Sequence, residues 1–266
     1  MIKRTLFAIP ALVLLVSSVY FGGLFARIVV AAVGVLCMHE MLGMVSAGSK
    51  PLRAVAYGFA ALSFPAFNYA GGFAGIAMLF ILSAVVIFTI IVLKDRDAKD
   101  GFMTVFSIAY PGMFYAFLIA LSCVGDINAF RFLMIIVFAS AVITDSFAYF
   151  TGMLIGRHKL APSISPKKTV EGAIGGTFFG ICAVYMFGFF GQGAFGVNIP
   201  AYWYLALGAV LSILAQIGDL AASKIKRHYG VKDFGRIMGT HGGAMDRLDS
   251  MLFVVPAVYA FYGFVV

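Results

Sequence analysis

The sequence predicts an all-α polytopic membrane protein with about nine transmembrane helices, and three observations carry that prediction. Of its 266 residues, 62% are hydrophobic and 11% charged, with a mean hydropathy of +1.02, which excludes an ordinary soluble core. The apolar residues gather into runs near the ~20 residues that a helix needs to cross the hydrocarbon layer. Lys and Arg fall on alternate connections: seventeen of the nineteen lie on one side of the alternation, leaving Arg27 and Arg131 for the other. The positive-inside rule makes the richer side cytoplasmic, so the N-terminus is expected inside and the C-terminus outside.

Nine spans are expected, roughly at residues 5–21, 25–46, 52–69, 72–93, 102–124, 130–152, 171–191, 201–223 and 249–266. Lys3 and Arg4 precede the first, which a cleaved signal peptide would also explain, but no convincing small-x-small site follows. The third is short enough to be re-entrant. Near the inner end of the second, His39 and Glu40 suggest a zinc motif that fails because position 43 is Gly43. Glu40 then either orients a residue at the cytosolic face or pairs with an interfacial Lys. From Lys94 to Asp100 the charges alternate in sign, which reads as a solvated turn without specific chemistry. Cys37, Cys123 and Cys182 stand singly in apolar runs and read as small core residues. The formal charge of +8 is spread between membrane segments, a pattern for anionic membrane lipids and phosphates and not for nucleic acid.

The sixth span ends with an acid inside an apolar run. Asp145 shares a helical face with Tyr149 and Gly152; such an acid is a functional candidate, with a structural Arg or Lys partner as the competing reading. The loop after it, GRHKLAPSISPKKTVEGAIGG, places Ser165, Lys167, Lys168 and Thr169 before a helix start near Glu171. Two ammonium groups, two hydroxyls and helix N-terminal amides suit phosphate, although a positive-inside anchor with a capped helix would need the same residues. Gly172, Gly176 and Gly180 recur every fourth position, a face for close helix packing within one chain or between two copies in a homodimer. Gly191, Gly193 and Gly196 form GxGxxG in a short loop without a βαβ setting, and no GxxxxGK[ST] occurs, so neither dinucleotide nor P-loop binding is expected.

The densest polar chemistry lies between Gln216 and Ser250, which holds four of the eleven acidic residues. Gln216, Asp219, Ser223 and Lys226 form one polar helical face. Asp246 and Asp249, three apart, follow His241, Gly242 and Gly243 at the start of the last helix. Interleaved with them are Lys224, Lys226, Arg227, Lys232, Arg236 and Arg247. Mixed acids and bases suit a divalent cation held together with a polyphosphate, because Mg²⁺ takes one or two carboxylates and completes its shell with water and phosphate oxygens.

Ser223, Lys226, Arg227, Lys232, Asp233, Gly235, Gly239, His241, Gly242, Gly243, Asp246, Arg247 and Asp249 resemble the signature of the phosphatidate cytidylyltransferases, also called CDP-diacylglycerol synthases. Ser165–Gly172 resembles a second motif of that family, with Val170 where Trp is common, and the Asp145 segment a third, with Val142 in place of an aromatic. Ala222 stands where many members carry Glu, and Met238 where Leu, Ile or Phe is usual.

The resemblance implies transfer of CMP from CTP to phosphatidic acid, in a polar cavity at the cytoplasmic ends of the later helices of a bacterial inner-membrane protein. It implies catalytic roles for Asp145, Lys167, Lys168, Asp219, Lys226, Arg227, Asp246 and Arg247. Ser165, Thr169, Ser223, Lys232, His241, Gly242 and Gly243 would bind substrate. Mg²⁺ would take Asp219, Asp246 and Asp249, with a second or monovalent metal left open. The chain is expected to be a single integral-membrane domain, 1–266, with the motifs in 130–266. A CTP-dependent lipid kinase of polyprenol type is the alternative within the same chemistry. A transporter is the alternative outside it, disfavoured by the absence of broken inverted repeats.

Overall fold

The computed structural model describes residues 13–237 and 242–265, and the chain divides into two compact units. One comprises the chain up to Cys123 with Tyr229–Arg247; the other comprises Val124–His228 with the chain from Leu248 onward.

The first unit is helical: 13–21 (α1), Gly23–Val45 (α2), Arg53–Tyr69 (α3), Phe73–Leu93 (α4), Ala98–Ser107 (α5) and Phe114–Ser122 (α6). Gly71 and Gly72, at φ 85° and 67°, turn the chain between α3 and α4 in the left-handed region that residues with a Cβ avoid. Between α5 and α6 a π-helical turn, Ile108–Met113, contains Pro111. Proline has no N–H to give to an α-helical ladder, and the wider turn takes up that defect without ending the helix. A core of Met38, Leu42, Phe59, Ile76, Ile87 and Ile108 joins these helices. By contrast, Met78, Ile81, Leu82, Val85 and Val86 of α4 are exposed apolar side chains, as a lipid-facing surface requires.

The charged turn before α5 departs from the expected solvated turn. Asp97 caps α5 by accepting from Lys99 N at 2.8 Å, a contact that stabilises a helix by about 1 kcal/mol. Asp100 is buried and accepts from Lys50 N at 2.6 Å and from the Arg96 guanidinium at 3.1 Å. The run therefore ties two connections together, because a buried carboxylate must find donors.

The second unit contains Ile127–Ile155 (α7), Val170–Tyr185 (α8), Ala201–His228 (α9) and most of Met245–Val265 (α10). Within the loop read as phosphate-binding lies an antiparallel hairpin, Lys159–Ala161 (β1) with Ser165–Thr169 (β2), Lys159 facing Thr169 and Ala161 facing Ser165. This small sheet is the one departure from an all-α chain among the described residues. Gly176 of α8 lies so close to α7 that a Cβ there would meet Thr144 O at 2.7 Å and Ala148 Cβ at 2.8 Å; at Gly180 it would strike Ser212 of α9 and Thr144. The four-residue glycine stripe thus lets three helices approach closely. The GxGxxG segment is helical, with a 3₁₀ turn at Gln192–Phe195.

Among the described residues, seven helical stretches are long and apolar enough to cross a membrane: α2, α4, Ala98–Ser122, α7, Val170–Phe190, α9 and α10. The expected span at 52–69 corresponds to α3, whose 17 residues fall short of the ~20 that cross the hydrocarbon layer. The span at 5–21 lies partly outside the described residues. The later helices run beyond expectation, α7 to Ile155 through the apolar Met153, Leu154 and Ile155, and α9 to His228 through a polar, basic end.

Candidate active site

In the second unit a pocket of about 270 Å³ is lined by residues that include Asp145, Tyr149, Lys167, Lys168, Thr169, Gln216 and Asp219. Helix α7 supplies Asp145 and, one turn on, Tyr149; α9 supplies Gln216 and Asp219; the hairpin strand β2 supplies the two lysines. Burial deepens along β2 toward α8: Lys167 is exposed, Lys168 half-buried and Thr169 buried. Lys168 Nζ reaches Asp219 Oδ2 at 2.5 Å. The other oxygen of Asp219 accepts from Ser223 Oγ, one turn later, at 3.3 Å.

Thr169 is the N-cap of α8, its Oγ1 accepting from Gly172 N at 3.1 Å. Glu171, in the first turn, accepts from the amides of Arg157 and His158 and pairs with His158 Nδ1 at 2.6 Å. The hairpin is thereby latched at its base to the helix that follows it. At its tip, Arg227 Nε of α9 donates to Ile164 O at 3.4 Å.

A second pair lies beside the first. Lys226 Nζ is 3.8 Å from Asp249 Oδ2 and both residues are buried. Asp249 Oδ1 also accepts from Ser250 N at 2.9 Å, while the Ser250 side chain hydrogen-bonds Asp145. The carboxylates of Asp145, Asp219 and Asp249 are within electrostatic reach of one another. Three acids and two lysines therefore meet in this unit, drawn from α7, β2, α9 and α10.

Among the described residues, no group of three His, Cys, Asp or Glu side chains is arranged to hold a metal ion unaided. The donor chemistry nonetheless fits Mg²⁺. All donors are oxygens, and this ion is commonly held by one or two carboxylates plus substrate phosphates.

The pocket shares Leu160, Ala173 and Gln216 with an apolar groove of about 520 Å³ between α8 and α9, lined further by Ile174, Phe178, Ile181, Ile213 and Ile217. Gln216 marks the junction, its Nε2 donating to Thr177 Oγ1 at 2.9 Å and to Ala173 O at 3.3 Å. The polar face of α9 revealed Gln216 in the sequence, but not its position between two cavities. Tyr149 and Gly152 likewise line the pocket without having been assigned to the site.

The first unit holds the rest of the signature. Asp246 Oδ2 accepts from Phe234 N at 2.8 Å and from Gly243 N at 2.9 Å, so the acid folds the preceding loop onto the start of α10. Gly242 turns with φ 81°. Lys232 and Arg247 are exposed. His241, Gly239 and Met238 lie outside the described residues. The Glu40 carboxylate accepts from backbone amides, Ala244 N at 3.0 Å and Met245 N at 2.9 Å. Ala222, one turn before Lys226 on α9, is fully buried.

Residues 2–265 match the model of the cytidylyltransferase family. The chain is 34% identical over 259 residues, 95% of each sequence, to a phosphatidate cytidylyltransferase of Staphylococcus aureus strain COL. It is 35% identical over 264 residues, again 95% of each, to that of Staphylococcus saprophyticus. To the phosphatidate cytidylyltransferase of Thermotoga maritima it is 36% identical over 189 residues, 69% of this chain and 67% of the relative.

Proposed function

The chain belongs to the cytidylyltransferase family, and from that premise we infer its reaction and the residues that perform it. It is a phosphatidate cytidylyltransferase: it transfers CMP from CTP to phosphatidate, forming CDP-diacylglycerol for phospholipid synthesis and releasing pyrophosphate. A phosphate oxygen of the lipid attacks the α-phosphorus of CTP, and the bond from that phosphorus to the bridging oxygen of the departing pyrophosphate breaks. No protein nucleophile is required. Two anions must approach, so catalysis rests on positioning and on fixed positive charge.

The observation that carries the site assignment is the Lys168–Asp219 contact on the pocket wall. An ammonium and a carboxylate stand side by side there, an arrangement that suits phosphates and a cation sharing charge. Lys167, Lys168, Lys226, Arg227, Lys232 and Arg247 are assigned to substrate phosphates, and Ser165 and Ser223 to neutral hydrogen bonds. Thr169 sets the start of α8 and, through it, the aim of β2. Asp219, Asp246 and Asp249 are assigned to Mg²⁺, with Asp145 orienting them. When bound, the ion supplies neutralisation of developing phosphate charge. Lys168 and Lys226 hold two of these acids in place before substrate arrives, and are released toward phosphate when it does.

The groove continuing from the pocket at Gln216 suits an acyl chain of phosphatidate, with the phosphate in the polar pocket and hydrocarbon between α8 and α9. The chain is an integral membrane protein. The distribution of Lys and Arg supports a cytoplasmic active site in a bacterial inner membrane, the N-terminus inside and the C-terminus outside. Maleimide labelling of single cysteines at Lys94 and Gly193 from either side of the membrane tests that orientation.

The reaction is tested with phosphatidate, Mg²⁺ and CTP labelled either in the cytosine ring or, in a parallel incubation, at the γ-phosphate, the purified wild type being compared with Asp246→Asn. Label should enter the lipid phase only with wild type. Label from the γ-phosphate alone would reveal a lipid kinase, and none from either position in folded protein would overturn both readings.

A further inference from the structure

Within the first unit, Glu40 occupies a place that nothing in its own helix explains. It is 3% exposed on α2, yet both its carboxylate oxygens are used by a segment more than two hundred residues away, accepting from Ala244 N and Met245 N. These are backbone donors at the start of α10, where a helix has no intrahelical acceptors for them. The loop makes room for the acid, since a Cβ at either Gly235 or Gly243 would strike the Glu40 carboxylate. The next amide back, Gly243 N, goes to Asp246 instead, as does Phe234 N. Three successive amides, 243 to 245, are thus divided between two acids that feel each other's charge.

We propose that Glu40 is a positioning residue for Asp246, clamping the first amides of α10 so that the Asp246 carboxylate is held in one orientation. The proposal rests on the assignment of Asp246 to the reacting centre. Charge-assisted hydrogen bonds from two consecutive N–H groups fix both the place and the direction of the helix start. A glutamine of the same length offers one acceptor and turns an NH₂ group toward a backbone donor. Lost amide bonds free the segment from which Asp246 projects, and displacement on the order of 1 Å of a reacting group costs roughly 100-fold in rate.

The experiment compares Glu40→Gln, Gly235→Ala and Asp246→Asn with wild type in detergent, measuring kcat, KM for CTP and amide hydrogen exchange across residues 242–250. The glycine variant crowds the Glu40 carboxylate without altering it, and carries the test where the Gln variant does not fold. Expected in either variant is exchange faster by roughly tenfold in this segment, with kcat down roughly 100-fold and KM for CTP within about threefold of wild type. Faster exchange with full kcat would make Glu40 a helix anchor only and overturn the proposal. Unchanged exchange, or failure of both variants to fold, would overturn it as well. Turnover retained by Asp246→Asn would instead remove the assignment of Asp246, a result distinct from any behaviour of Glu40.

Discussion

Lys168 Nζ lies 2.5 Å from Asp219 Oδ2, and that contact joins the hairpin after α7 to the polar face of α9. Both side chains retain about a quarter of their exposure, so the pair remains accessible to a ligand. A stability role for such a pair would be small; a role in presenting charge to phosphate would be large.

The two roles separate by substitution. Asp219→Asn is expected to lower kcat by roughly 100-fold or more while leaving the thermal unfolding midpoint in detergent within a few degrees of wild type. Lys168→Gln should lower kcat/KM for CTP to a similar extent. If both variants turn over normally, neither side chain belongs to the reacting site. A large fall in the unfolding midpoint would instead place the pair in the framework.

The glycine stripe of α8 makes a prediction about packing. Gly176→Ala brings a methyl against Thr144 O and Ala148 Cβ, contacts that overpacking resolves only by moving helices apart, at about 1–3 kcal/mol. Gly43→Ala, where nothing lies within 4 Å, should be neutral or stabilise by up to about 1 kcal/mol. Thermal unfolding of both variants checks the contrast. Equal midpoints would mean that α7 and α8 accommodate the added methyl without cost.

The spans and the pocket acids are readable in the sequence because each is an anomaly against its background: a run of apolar residues against polar connections, or Asp145 and Asp219 against an apolar run. The hairpin left no comparable signal. Its strands are three and five residues long, too short to set up an alternating pattern in a segment rich in Lys, Ser and Pro. Asp100 looked like a surface charge because its partner Lys50 N is fifty residues away. Glu40 was visible as an unusual acid, but its partners at Ala244 and Met245 could not be inferred, since sequence spacing is silent about contacts made only on folding.

The apolar groove gives the most discriminating test of how the lipid lies. Ile213 is half exposed and lines the groove without reaching the polar pocket. Ile213→Trp fills space between α8 and α9 with an apolar ring, so it leaves the membrane-facing chemistry of the helix intact. If an acyl chain lies there, KM for long-chain phosphatidate in mixed micelles should rise roughly tenfold, while KM for CTP and turnover of a water-soluble short-chain phosphatidate stay near wild type. Steady-state kinetics at fixed micelle composition read both. Equal losses with the two lipids would trace the effect to a disturbed polar pocket, and unchanged kinetics with the long-chain lipid would place the acyl chain elsewhere. The comparison isolates the hydrocarbon because both substrates carry the same phosphate and differ only in acyl-chain length.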